Sequence, residues 1–317
     1  MELIRAAAIT RRYYVDGVSK VDIAGEFGVS RFKVARVIDE ARRSGLVRIE
    51  IVVPAQIDAE LSDAVRVAYG LRQAIVVATA ETGETEESAE SLRRQLGKVA
   101  AEYLAEVVVD GDVLGLACSR TLNAMTLALD RIPRCTVVQL TGALSGVNVD
   151  ENSVELVRRV AGLAGGRAYP IYAPLVVSDS VTAEALRQQP QVADAMGRYR
   201  DITKAVVAIG SWDPPASLVR AAMTEADAEA LRERGVRAEV CARLLDGEGR
   251  PVAYLADRLI AITLEQLQKI PEVIAVTGGR IKAKAIDAVL RGRLVTSLVT
   301  DAGVARALLE GKETTGG

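Results

Sequence analysis

From Ala59 onward the chain alternates short apolar runs with longer amphipathic stretches, and this alternation constrains the fold more than any other feature. Apolar runs that carry no polar partner face need cover on both sides, which helices between parallel strands supply. The pattern predicts helices over Ala59–Tyr69, Glu84–Val107, Thr121–Leu129, Asn152–Leu163, Glu225–Glu233, Ala283–Leu290 and Val304–Leu309. It predicts strands over Ala74–Ala78, Val113–Ala117, Thr136–Leu140, Ala205–Ile209, Val273–Val276 and Ser297–Thr300. The fold class is therefore α/β with a mostly parallel, Rossmann-like sheet. Apart from Trp212, Phe27 and Phe32, the aromatic residues are eight tyrosines, so the core must be built from Ala, Val, Leu and Ile.

The first 53 residues follow a different pattern. Ile4–Tyr14 has helical spacing and ends near the turn pair Asp16-Gly17. Val21–Phe27 reads as a short helix and Gly28-Val29 as a turn that needs a positive φ at the glycine. Ser30 stands where a helix cap is wanted, and Arg31–Ser44 continues as a helix stopped by Gly45. Small Ala24, Gly28 four residues on, and Val34 and Val37 set against Ile23 and Phe27 make the packing pattern of a helix-turn-helix. Leu46–Val53 then alternates as a half-buried strand fit to be a wing.

Charge follows the same division. Residues 1–53 carry ten Lys or Arg against seven Asp or Glu, while the remainder carries 30 against 35. A basic head on an acidic body, with a net charge of −2 for the whole chain, excludes a basic coat over all of it and points the head toward a polyanion. The candidate DNA contacts are Lys20, Ser30, Arg31, Phe32, Lys33 and Arg36. Of these, Arg31 and Arg36 are placed to read bases and Lys33 to hold phosphates; Arg42 is expected on the DNA backbone as well.

The chain has no histidine, and its three cysteines, Cys118, Cys135 and Cys241, are far apart with no CxxC. That removes the commonest general base and any Cys/His zinc site, and it suits a reducing compartment. No cofactor, metal or catalytic residue is expected. No stretch of about 18 apolar residues and no signal peptide is read, so a cytoplasmic protein without a membrane partner is expected.

Ligands of parallel sheets sit beyond the carboxyl ends of the strands. Four such ends are suggestive: Ala117-Cys118-Ser119-Arg120-Thr121, Thr141-Gly142, Gly210-Ser211-Trp212 and Thr277-Gly278-Gly279-Arg280-Ile281-Lys282. Hydroxyls, a guanidinium and helix amides at the first suit an anion. Each alone could be an ordinary strand-to-helix turn; together they point to a pocket for a phosphate-bearing small molecule.

The head sequence YYVDGVSKVDIAGEFGVSRFKVARVIDEARRSGLVRIEI and the body segments VLGLACSRTL, VVQLTGALSG, VVAIGSW, VRAEVCARLLDGEGRPV and IPEVIAVTGGRIKAKAIDAVLRGRLVTSLVTDAGVA resemble the SorC family of bacterial transcriptional regulators. The resemblance implies a helix-turn-helix domain over 1–53 and an effector and oligomerisation domain over 54–317, similar to sugar-phosphate isomerases. It implies operator DNA as partner, a phosphorylated sugar as effector, and a dimer or tetramer. The family's phosphate loop falls on Cys118, Ser119, Arg120 and Thr121, and its next strand end on Thr141 and Gly142. Its hydroxyl-binding acid falls on Glu239 and its phosphate-side lysine on Lys282. The loop departs from the usual Trp-Gly with Cys118-Ser119, and Ala238-Glu239 replaces Gly-Asp. Two other readings stay open: an isomerase-like enzyme using Glu239 and Lys282, and a regulator of an unphosphorylated sugar or polyol in which Arg120 and Lys282 are structural ion-pair partners.

Overall fold

Two serines start the second and third helices of the chain in the same way. A computed structural model of the protein describes residues 2–47, 56–79, 85–143, 153–221, 223–254 and 256–313. It divides into two units, Met1–Val53 and Pro54–Gly317. In the first unit, α1 spans Glu2–Tyr14, α2 spans Lys20–Phe27 and α3 spans Arg31–Arg43. Ser19 Oγ accepts the Asp22 N–H at 3.3 Å and Ser30 Oγ accepts the Lys33 N–H at 3.2 Å, each capping the helix that follows. Gly28 closes α2 at φ +61°, a conformation that a side chain disfavours. Ile9, Ile23, Val34 and Ile38 form the core of this unit, with Ala24, Phe27 and Val37 packed at its edge. Gly45, at φ +74°, follows Ser44, the capping residue of α3.

Several sequence expectations fall outside the described residues. They are the wing strand from Arg48 to Val53 and Glu84 and Asn152 at two helix starts. Leu46 and Val47 are described, in a bend and not in a strand.

The second unit holds ten strands among the described residues: β1 (Gln73–Val77), β2 (Val113–Leu116), β3 (Thr136–Gln139), β4 (Ala168–Tyr169), β5 (Lys204–Val207), β6 (Ile209–Ser211), β7 (Ala238–Val240), β8 (Arg243–Leu245), β9 (Glu272–Val276) and β10 (Ser297–Asp301). Seven form one sheet in the order β1-β10-β9-β5-β2-β3-β4, with every pair parallel. All five residues of β9 and of β10 are buried, as strands covered on both faces must be. From β2 the chain steps outward to β3 and β4. It then returns to lay β5 on the other side of β2, and β9 and β10 continue in the opposite direction. The carboxyl ends of β2 and β5 therefore flank the point where the winding reverses, where such sheets open a crevice.

Helices α4 (Ala59–Tyr69), α5 (Glu86–Val107) and α6 (Arg120–Ala128) pack around this sheet. Gly97 of α5 lies so close to α6 that a Cβ there would stand 2.7 Å from the Ala124 carbonyl carbon. This approach brings Arg93, one turn before Gly97, to the starting end of α6.

One expectation is corrected. The run Ala205–Ile209 is not one strand followed by a turn into a helix. β5 ends at Val207, and Ile209–Ser211 leaves the sheet to pair antiparallel with β7, in a separate sheet ordered β6-β7-β8. Trp212, which follows β6, has its own enclosure. It is fully buried with Ala228, Leu231, Val236 and Leu244, and its indole N–H donates to the Ala228 carbonyl at 2.9 Å. Among the described residues, no helix is long and apolar enough to cross a membrane.

Candidate functional site

A cavity of about 310 Å³ opens where the carboxyl ends of β2, β5 and β9 meet the small antiparallel sheet. Cys118, Ser119, Arg120, Thr121, Thr141, Glu239 and Lys282 line it, so the structure brings together seven of the eight residues expected at an effector site. Gly142 is not among the lining residues. A Cβ at Gly142 would stand 2.7 Å from the carbonyl oxygens of Ala173 and Pro174, so its lack of a side chain serves chain packing.

One end of the cavity is cationic. It begins at the N-terminus of α6, where Ser119 Oγ accepts the Leu122 N–H at 3.0 Å and the amides of the first turn have no partner within the helix. Arg120 opens α6, and Arg93 reaches in from α5. Lys282, which precedes the helix Ala283–Arg291, places Nζ 3.4 Å from the Ile209 carbonyl oxygen. Burial pushes the Lys282 ammonium down to about 8, against the pull of Glu239, and the charges of Arg120 and Arg93 push the same way. The helix dipole and two guanidiniums meet here, which favours an anion, and the Lys282 ammonium lies within electrostatic reach of both arginines and of Glu239.

The opposite end is built around the buried carboxylate of Glu239 on β7. Ser217 Oγ–H donates to Oε1 at 3.1 Å and the Ala242 N–H donates to Oε2 at 3.1 Å. Burial nevertheless raises this carboxyl above the usual range, outweighing those bonds and the charge of Lys282. Ser217 is itself fixed, since its Oγ accepts the amides of Val219 and Arg220. Ala242 is presented by the two-residue turn Cys241-Ala242, which joins β7 to β8 at φ +49° and +62°. Both values lie in the left-handed region that such hairpin turns demand and that side chains disfavour.

The glycines before Lys282 have an internal reason. Gly279 N–H donates to Asp301 Oδ2 at 2.7 Å, and a Cβ on Gly278 would stand 2.6 Å from the same oxygen. They bind the β9 loop to the end of β10. Ser217, Arg93 and Glu86 line the cavity without having been expected there. Arg93 and Glu86 sit on a helix whose face toward the cavity is set by the close crossing at Gly97, which no local motif announces.

In the N-terminal unit, Arg31, Phe32, Lys33 and Arg36 are exposed on the first two turns of α3, Phe32 to 84%. Ser30 is committed as the cap of α3. Lys20 is half-buried, with its Nζ 5.1 Å from the centre of the Tyr13 ring. Arg12 bridges Asp16 and Glu26 and ties α1 to α2.

Known proteins match most of the chain. The family model described as "Putative sugar-binding domain" matches residues 53–310. The uncharacterised transcriptional regulator YjhU of Escherichia coli (strain K12) is 31% identical over 303 residues, spanning 94% of this chain and 92% of that protein. The deoxyribonucleoside regulator of Bacillus subtilis (strain 168) is 28% identical, spanning 94% of this chain and 95% of its own. Among solved structures, the full-length sorbitol operon regulator SorC from Klebsiella pneumoniae superposes with a TM-score of 0.73 at 21% identity, over 97% of this chain and 99% of that one.

Proposed function

The chain belongs to the SorC family of transcriptional regulators with a sugar-binding domain, and we propose that it regulates a carbohydrate-metabolism operon through a phosphorylated sugar. The N-terminal unit is read as the DNA-binding helix-turn-helix, with α3 in the major groove. Arg31 and Arg36 meet base edges there, and Lys33 meets the phosphate backbone. Residues 54–317 are read as the effector domain, in an oligomer that sets two or more heads on repeated half-sites.

The observation that carries the effector reading is the polarity of the cavity. Arg93, Arg120 and the start of α6 line one part of it, the hydrogen-bonded carboxylate of Glu239 another, and the Lys282 ammonium lies within electrostatic reach of both. A phosphate fits the first end. A carboxylate would repel it at the second, where a sugar hydroxyl can donate to Glu239. The ligand so described is elongated and lies across the strand ends. It shifts the operator equilibrium by its differential affinity for the DNA-competent and DNA-incompetent arrangements.

A thermal-shift screen of sugars against their phosphates tests this reading. A ligand at 100 times its Kd that binds only the folded chain adds about 2.7 kcal/mol of stability. The phosphates are expected to shift the melting temperature and the parent sugars are not. A second reading, an unphosphorylated sugar or polyol, draws on the ion pairs that Arg93 and Arg120 already make with Glu86. The same screen separates the two.

A further inference from the structure

Glu86 is the first residue of α5, and its carboxylate stands at the mouth of the cavity. Its Oε1 accepts from the Arg93 guanidinium and, at 3.3 Å, from Arg120. A single carboxylate oxygen thus accepts one N–H from each arginine at the cationic end. The two arginines are unequally placed, with 18% of the Arg93 side chain exposed and 45% of Arg120. Glu86 is 72% exposed, so it can turn into water at little desolvation cost, while Arg93 stays in the cavity wall.

The geometry points to Glu86 as a resident counter-ion of the anion subsite, which an arriving phosphate must displace from Arg93 and Arg120. This deepens the reading of the cavity as a phosphate site and rests on it. Glu86 then sets which ligands are admitted. A neutral sugar gains nothing from the arginines while Glu86 holds them. A single carboxylate exchanges one charge for an equal one. A phosphate dianion offers two charges and three acceptor oxygens, enough to replace Glu86 on both guanidiniums and still meet Lys282 and the α6 amides. The residue therefore acts as a threshold, imposing on every anion the same cost of displacement, which a phosphate ester can overcome and a weaker, singly charged ligand cannot.

The test compares the wild-type chain with Glu86→Gln and with Glu87→Gln, using calorimetry with inorganic phosphate as the probe. Glu87 is an exposed neighbour in the same helical turn, so its variant removes an equal charge without touching either arginine's partner. Glu86→Gln is expected to bind phosphate about three- to tenfold tighter, the scale of two exposed ion-pair contacts removed, and acetate with a similar gain. Glu87→Gln is expected to stay within about twofold of wild type. Phosphate bound by wild type but no more tightly by Glu86→Gln overturns the inference and leaves the phosphate reading standing. Equal gains in both variants overturn it too, because they reduce the effect to net charge. No phosphate binding in any of the three overturns the phosphate reading and the inference with it.

Discussion

Gly210 and Glu239 face each other across the β6–β7 pair, and the missing side chain of Gly210 is what leaves room for the Glu239 carboxylate. A Cβ at Gly210 would run into Glu239 Oε1 and would stand 2.7 Å from Ser217 Cβ. The carboxylate is held from two further sides by Ser217 and the Ala242 amide. Sheet pairing, glycine and hydrogen bonds therefore act together to point one acid at the cavity.

Gly210→Ala forces Glu239 or Ser217 to move, and both are buried or tethered. The variant is expected to lose about 1–3 kcal/mol of stability, the usual cost of overpacking. It is also expected to lose ligand affinity while the cationic end keeps its inorganic phosphate. Chemical denaturation and calorimetry check the two halves separately.

Lys282 gives two pH dependences of opposite sign. Its folded pKa is lowered to about 8 from an ordinary 10.5. Between those values the unfolded chain holds the proton and the folded chain does not, so this residue's contribution to stability rises with pH across that window. Anion affinity falls as pH rises through about 8, because the cation it needs is lost there. Affinity for a phosphate ligand is therefore expected to drop between pH 7 and 9, and Lys282→Arg to flatten that drop. Titration calorimetry at three pH values checks it, with denaturation of Lys282→Met against wild type for the stability half.

For the head, Arg36→Ala is expected to cost about 1–3 kcal/mol on the cognate site and to relax specificity at one base pair. Lys33→Ala is expected to weaken binding evenly across sequences and to lower the salt slope by about one. Binding selections from random DNA, followed by anisotropy at several salt concentrations, distinguish the two residues.

Ser30→Ala removes the hydroxyl that caps α3. A loss of about 1 kcal/mol in the stability of the head is expected, with Ser30→Asp recovering most of it. Denaturation followed by helical circular dichroism reads the change.

Much of this architecture was legible in the sequence because its signals are local. The cap Ser30, the positive-φ Gly28 and the apolar runs of β9 and β10 each announce themselves within a few residues. The small antiparallel sheet did not. Ile209-Gly210-Ser211 follows β5 after a single residue and reads as its continuation, and the turn Cys241-Ala242 carries neither the Gly nor the Asn that usually marks such a hairpin. Of the candidate site, Ser119, Arg120, Thr121 and Lys282 were visible as strand-end and helix-start residues, and Glu239 through family resemblance. Arg93 and Glu86 were hidden because a long amphipathic helix shows which residues are polar and not which of them a neighbouring helix will turn toward a cavity. Gly142 misled for a related reason: a glycine at a strand end serves a ligand or a crossing chain equally well, and here Ala173 and Pro174 cross it.

The central claim, that a phosphorylated sugar in this cavity controls operator binding, is tested most directly by anisotropy of labelled DNA, selected for binding to the chain, titrated with sugar phosphates and with the same sugars lacking phosphate. The account predicts that at least one sugar phosphate changes DNA affinity, that its parent sugar does not, and that Lys282→Ala abolishes the response. A response to an unphosphorylated sugar or polyol that survives Lys282→Ala would contradict it.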